Sequence, residues 1–261
     1  MGYALITGSS AGIGLAIAYE LAAIGYDIII AARSTDKMNE AKQLLEEIYG
    51  VHVITIAVNL ANSNGPLELF SKVNDMNIEI VVNSAGVTLH GFHIDLEASK
   101  VNDMLNLNIV SLTLICSLFA NSMRSHGVHG YIVNISSIVA YSPIANMAAY
   151  SASKSYVLNF SESLRRELED YGISVTCVCP GPVDTEFFQK GSLKNQFPKL
   201  SAKTISSPQH VASLIVHSMF AKKRVLIIGW SFKILVFISW LLPKMLFLYV
   251  SKAIINHKSK K

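Results

Sequence analysis

Tyr3-Ala4-Leu5-Ile6-Thr7-Gly8-Ser9-Ser10-Ala11-Gly12-Ile13-Gly14 opens the chain with five residues of strand character, a turn holding three glycines, and the start of an apolar-periodic run. Strand, glycine turn and helix in direct succession form the first part of a βαβ unit. Glycine lets the backbone turn tightly and lets phosphates approach closely, while the helix N-terminus offers unpaired N–H groups and the positive end of its dipole. Gly8, Ser10, Gly12, Ile13 and Gly14 are therefore candidate contacts for a pyrophosphate. Taken alone the turn is weak, because a tight turn without ligand reads the same way. Its Gly-x-x-x-Gly-x-Gly spacing also departs from the Gly-x-Gly-x-x-Gly dinucleotide fingerprint. Beyond it Ile13, Ile17, Leu21 and Ile24 recur on one helix face, and Gly25 is of the type that follows a helix end.

Working outward, β-branched runs recur at 27–32, 51–57, 78–83, 131–135, 174–179 and 224–228. Their continuous apolar character predicts parallel strands buried on both faces, and the gaps are long enough for crossover helices. The pattern predicts an α/β fold, a single doubly wound seven-stranded parallel sheet with helices on both faces. Composition agrees: 51% of the 261 residues are hydrophobic and 15% charged, which excludes intrinsic disorder. A net charge of +4 without basic clusters around aromatics argues against nucleic acid as partner. Three cysteines in apolar runs, Cys116, Cys177 and Cys179, make no disulfide framework, so a cytoplasmic protein is expected. No secretory leader is expected either, since Thr7 and Gly8 interrupt the first apolar run at once.

Charge is unevenly spread. All 18 acidic residues lie at or before Glu186, so residues 1–186 carry −9 and the last 75 carry +13. The two tryptophans of the chain, Trp230 and Trp240, stand with Phe232, Phe237, Phe247 and Tyr249 in an almost wholly apolar stretch, 230–250. Three readings fit: a solvated basic face, an apolar helix buried against its own domain or a second subunit, or peripheral contact with anionic lipid. Lys233, Pro243 and Lys244 interrupt the run and oppose a membrane span. The expected division is a catalytic domain, 1–229, followed by an apolar, basic extension, 230–261.

Three further clusters bear on chemistry. At the end of the second strand an acid reads the ribose of NAD, whereas a base accepts the extra phosphate of NADP. Here the chain reads Ala31-Ala32-Arg33, and the forked guanidinium of Arg33 favours NADP(H) over NAD(H). Arg33 as a solvated residue opening the next helix is the plainer alternative. In Tyr150-Ser151-Ala152-Ser153-Lys154, within a helical pattern continued by Val157, Phe160, Leu164 and Leu168, Tyr150 and Lys154 share one face. A phenol titrates near 10, and a nearby ammonium is expected to lower that. Ser137, thirteen residues upstream, offers a hydroxyl just after the fifth strand. The pairs His90/His93 and His126/His129 lack a third ligand within reach, so no metal site is expected. No serine stands in a Gly-x-Ser-x-Gly elbow, which argues against a serine hydrolase.

With these residues together, the chain resembles the short-chain dehydrogenase/reductase family over residues 3–229, which implies a Rossmann-like NADP-binding domain. Asn83-Ser84-Ala85-Gly86 is similar to the family's Asn-Asn-Ala-Gly element, Asn108 falls at its catalytic Asn, and Pro180-Gly181-Pro182-Val183-Asp184-Thr185 resembles its Pro-Gly element. Ser84 and Asn59 depart from the family, which usually has Asn and Asp there. The resemblance implies Tyr150 as general acid, with Lys154 lowering its pKa and holding the nicotinamide ribose. It also implies that Ser137 orients the carbonyl and that Asn108 holds a relay water. Cofactor contacts are expected from the glycine turn, Arg33, Asn59, Asn83, Ala85, Gly86, Tyr150, Lys154, Pro180, Gly181, Val183 and Thr185. Residues 186–207 should cover the site, with Phe187, Phe188, Leu193, Phe197 and Leu200 facing an apolar, lipid-like carbonyl substrate. Members with such extensions reduce 3-oxoacyl thioesters or ketosteroids, and association through the helices after strands four and five implies a homodimer or homotetramer.

Overall fold

The computed structural model describes residues 1–187 and 205–241, the side chain of residue 240 left aside. Seven parallel strands, β1 (Tyr3–Thr7), β2 (Asp27–Ala32), β3 (Val53–Ala57), β4 (Ile78–Asn83), β5 (Tyr131–Ile135), β6 (Ser174–Cys179) and β7 (Val225–Ile227), form one sheet in the order β3-β2-β1-β4-β5-β6-β7. Five match their expected ranges. The third starts two residues late, where the His52 N–H is given to the Asp27 carboxylate at 2.7 Å, and the seventh is trimmed at both ends.

Alternate residues of the strands feed two cores. Ala4, Ile6, Ile28 and Ile30 face α1 (Gly12–Ala22), α2 (Thr35–Tyr49) and α7 (Pro208–Phe220). Leu5, Ile29 and Val81 face α3 (Gly65–Ser71), α5 (Leu112–Ser125) and α6 (Ala148–Leu168). Both sides of the sheet are thus dry, which accounts for the unbroken apolar runs. α1 ends earlier than its apolar spacing implies. Gly25 turns the chain at φ +91, and Ile24, expected on the buried face, is 44% exposed.

α4 (Ala98–Leu105) and α5 join through a π turn, Asn106–Ser111, into one 28-residue helix. By length and composition alone that helix could cross a membrane. Its inward side chains Ile115, Phe119 and Met123 are buried against the sheet, and Phe119 meets Phe70 edge to face at 5.2 Å. It is a core helix. The last described element, α8 (Trp230–Leu241), follows β7 after a sharp turn at Gly229 (φ +98) and packs back on the short turn Ile138–Tyr141.

Candidate active site

Thr7 closes β1 inside the sheet, and its hydroxyl oxygen accepts the N–H groups of Ser84 and Ala85, each at 3.1 Å. This lashes the end of β4 to the glycine turn. Gly8 has φ +67, and a Cβ there would stand 2.7 Å from Ala85 Cα. A Cβ on Gly14 would stand 2.7 Å from the Gly8 carbonyl oxygen. Neither position admits a side chain without moving backbone. No side chain caps α1 and no acidic residue stands in its first turn, so its leading N–H groups are open to an anion.

The turn forms one end of a cleft of about 650 Å³ above the C-terminal edge of the sheet. Gly8, Ser10, Gly12, Ile13 and Gly14 line it, with Arg33 exposed at the end of β2 and Ala85 and Gly86 after β4. Pro180, Gly181, Val183 and Thr185 enter from the segment after β6, which crosses the glycine turn: a Cβ on Gly12 would meet the Thr185 methyl at 3.2 Å. Lys37 pairs with Glu186 at 2.7 Å. Glycines that admit no Cβ, an uncapped helix start and a guanidinium beside them after β2 fit the phosphates of a dinucleotide.

At the other end β5 delivers Ser137, and α6 delivers Tyr150 and Lys154 one turn apart. Ser136 fixes α6 by donating its hydroxyl to the Lys154 carbonyl at 2.7 Å. Ser137 accepts the Val139 N–H through its side-chain oxygen at 3.4 Å. Tyr150 is 6% exposed, and burial pushes its phenol up to about 12 while a hydrogen bond from Ser137 opposes the shift. Burial also pulls the Lys154 ammonium down to about 8. Its Nζ donates to the Ile135 carbonyl at 3.0 Å and lies 5.9 Å from the Tyr150 ring centre. The phenol thus lies above its ordinary value because of desolvation, where a lowering by Lys154 was expected, and the Lys154 hydrogen bond goes to the Ile135 carbonyl.

Three expected side chains are not brought into the cleft. Asn59 is exposed after β3, accepting the Ala61 N–H and donating to Asn62. Asn83 points between β4 and β5, donating to Asn134 at 2.8 Å and to Cys116 Sγ at 3.3 Å. Asn108, on the π turn, accepts the Val87 N–H at 3.0 Å and donates to the Val87 carbonyl and the Ser153 hydroxyl. Both its amide hydrogens are committed, so the side chain ties the segment after β4 to α6.

Other lining residues were not expected as contacts from the sequence. Val87, Val139, Ile144 and Met147 form an apolar wall beside Tyr150, and Ser84 lines the nucleotide end. Phe187 was expected there, and its ring centre is 6.4 Å from that of Tyr150. Phe188, Leu193, Phe197 and Leu200 lie outside the described residues. Phe232 and Leu235 of α8 also reach the cleft. Gly181 makes room for Phe232, since a Cβ there would overlap the ring. The sequence signal for this was Gly229, set directly between the last strand and an apolar helix.

The pattern of the short chain dehydrogenase family matches residues 2–196. The very-long-chain 3-oxoacyl-CoA reductase of Mus musculus is 30% identical over 242 residues, covering 88% of this chain and 77% of its own. A 3-oxoacyl-acyl-carrier-protein reductase of Aquifex aeolicus is 31% identical over 225 residues, covering 81% and 87%. Among solved structures, a short-chain dehydrogenase from Sphingobium yanoikuyae in complex with NADPH superposes with a TM-score of 0.82 at 26% identity, covering 88% of this chain and 89% of its own.

Proposed function

The chain belongs to the short-chain dehydrogenase family and is an NAD(P)-dependent oxidoreductase; from that premise we propose that it uses NADPH to reduce the carbonyl of a hydrophobic, lipid-like substrate, such as a 3-oxoacyl group, to a secondary alcohol. The observation that carries this reading is the meeting of Ser137, Tyr150 and Lys154 with an apolar wall at the end of a glycine-lined cleft. Similarity to two 3-oxoacyl reductases and to a structure holding NADPH supports the same substrate class and cofactor.

The glycine turn and the start of α1 would hold the pyrophosphate, and Arg33 the 2′-phosphate. The bound reduced nicotinamide supplies the hydride. Everything else falls to the chain. Ser137, whose oxygen accepts the Val139 N–H, gives its hydrogen toward Tyr150 here and would turn it to the substrate oxygen once a carbonyl is bound between them. Tyr150, held protonated by burial, donates to the same oxygen as negative charge develops there, and an alkoxide is far more basic than a phenolate. The Lys154 ammonium, 5.9 Å from the Tyr150 ring centre, places positive potential beside the phenol. Asn108 ties Val87, in the segment after β4, to Ser153 of α6.

Oxidation of NADPH and of NADH by the purified protein, in mild detergent with long-chain 3-oxoacyl thioesters, ketosteroids and small aldehydes, tests the reading. Turnover with NADPH on an apolar carbonyl is expected. Preference for NADH overturns the role of Arg33, and turnover confined to small polar aldehydes overturns the substrate class.

A further inference from the structure

α8 is apolar on two faces. Toward the body, Phe232 and Leu235 reach the cleft and the helix rests on Ile138–Tyr141. Away from it, Trp230 is 77% exposed, Phe237 62% and Leu241 59%, with Ile234 and Ile238 also exposed. A helix that is apolar all round is normally covered all round, and a contiguous exposed patch of this kind marks an interaction surface.

Charge identifies what covers it. From residue 230 to the end the chain carries six lysines and no acidic residue. A second copy carries the same excess of lysine and the same lack of acidic residues in this part of the chain, so it offers no complementary charge. An anionic bilayer complements both the apolar face and the lysines, and tryptophan at the polar boundary favours the same site. The helix lies along the surface, because its inner face is already occupied by the protein. Another apolar protrusion shares this edge of the sheet: Phe92 and Ile94, in the loop after β4, are 62% and 92% exposed.

Resting on the lipid-like substrate proposed above, we infer that α8 is an interfacial helix. One face seats on an anionic membrane and the other closes the cleft, so that the acyl chain enters from the bilayer beside Phe232 and Leu235.

The two tryptophans of the chain, Trp230 and Trp240, both lie in α8, so tryptophan emission, excited selectively over tyrosine, reports on this helix alone. The full-length protein, mixed with vesicles of phosphatidylcholine with and without phosphatidylserine, should float with the anionic vesicles and show a blue-shifted emission. Added salt should weaken both effects. Phe237→Asp, which leaves the cleft lining untouched, should lower the fraction floated about tenfold or more. It should also slow turnover of a vesicle-embedded long-chain 3-oxoacyl thioester while sparing a soluble short-chain one. Absence of both flotation and blue shift overturns the docking, as it also would if sedimentation showed Phe237→Asp dissociating a dimer instead. Turnover of the soluble thioester keeps the reductase reading standing in that event, and loss of turnover with flotation intact would strike that reading instead.

Discussion

Tyr150 and Lys154 are pushed by burial in opposite directions, the phenol up to about 12 and the ammonium down to about 8. Only Lys154 then titrates near working pH. Reduction needs the phenol protonated, which holds everywhere below 12, and the ammonium charged, which holds only below 8. Reductase kcat/KM should therefore stay level from weakly acid to neutral pH and fall above about 8, by about tenfold per unit. A pH profile that falls on the acid side instead would put another group in control. Tyr150→Phe should lower kcat by roughly a hundredfold to ten-thousandfold, the range of a lost general acid, with NADPH binding by fluorescence titration unchanged; an undiminished rate removes Tyr150 from the acid role. The Tyr150–Lys154 pair was legible in the sequence because its chemistry requires one helix face and hence a fixed spacing. The sign of the phenol's shift was not, because spacing says nothing of burial or of the Ile135 carbonyl that takes the Lys154 hydrogen bond. The place of the Asn83 side chain was hidden for a related reason. It pairs in register with Asn134, and the two side chains meet between the strands, away from the cleft.

Among the elements, the glycine turn bears the most constraint. An added methyl at Gly14 meets the Gly8 carbonyl at 2.7 Å, which forces two backbone segments apart where the phosphates are to be held. At roughly 1 to 3 kcal/mol of overpacking, Gly14→Ala should weaken NADPH binding by about fivefold to a hundredfold with unchanged far-UV circular dichroism. Calorimetry giving wild-type affinity would show that the turn does not hold the cofactor. Strands were legible almost to the residue because burial on both faces leaves an unbroken β-branched run. The π turn at Asn106–Ser111 was not, since its sequence keeps the apolar spacing of the helix it interrupts. α8 hid its inward face for the opposite reason. With apolar residues all round there is no periodicity to say which side packs, and only the structure shows Phe232 and Leu235 turned to the cleft.

At the scale of the molecule, the strand order reverses between β1 and β4, and the cleft lies over that switch point. The loops after β1, β2, β4, β5 and β6 all reach it, so a ligand bound there ties both halves of the sheet and both cores together. Binding should then raise the stability of the whole domain in one cooperative transition. For NADPH at a hundred times its Kd the gain is about 2.7 kcal/mol, or roughly 5 to 10 °C in Tm for a domain of this size. If Arg33 receives the 2′-phosphate, NADH at the same concentration should give a smaller shift, and Arg33→Ala should reduce the NADPH shift to the NADH value while leaving the latter alone. Arg33 is exposed at the edge of the cleft, so the substitution should leave the Tm of the unliganded protein nearly unchanged, and any difference between the cofactors belongs to the phosphate contact. Equal shifts in the wild type would mean that the chain does not distinguish the two cofactors through Arg33, whichever one it oxidises faster.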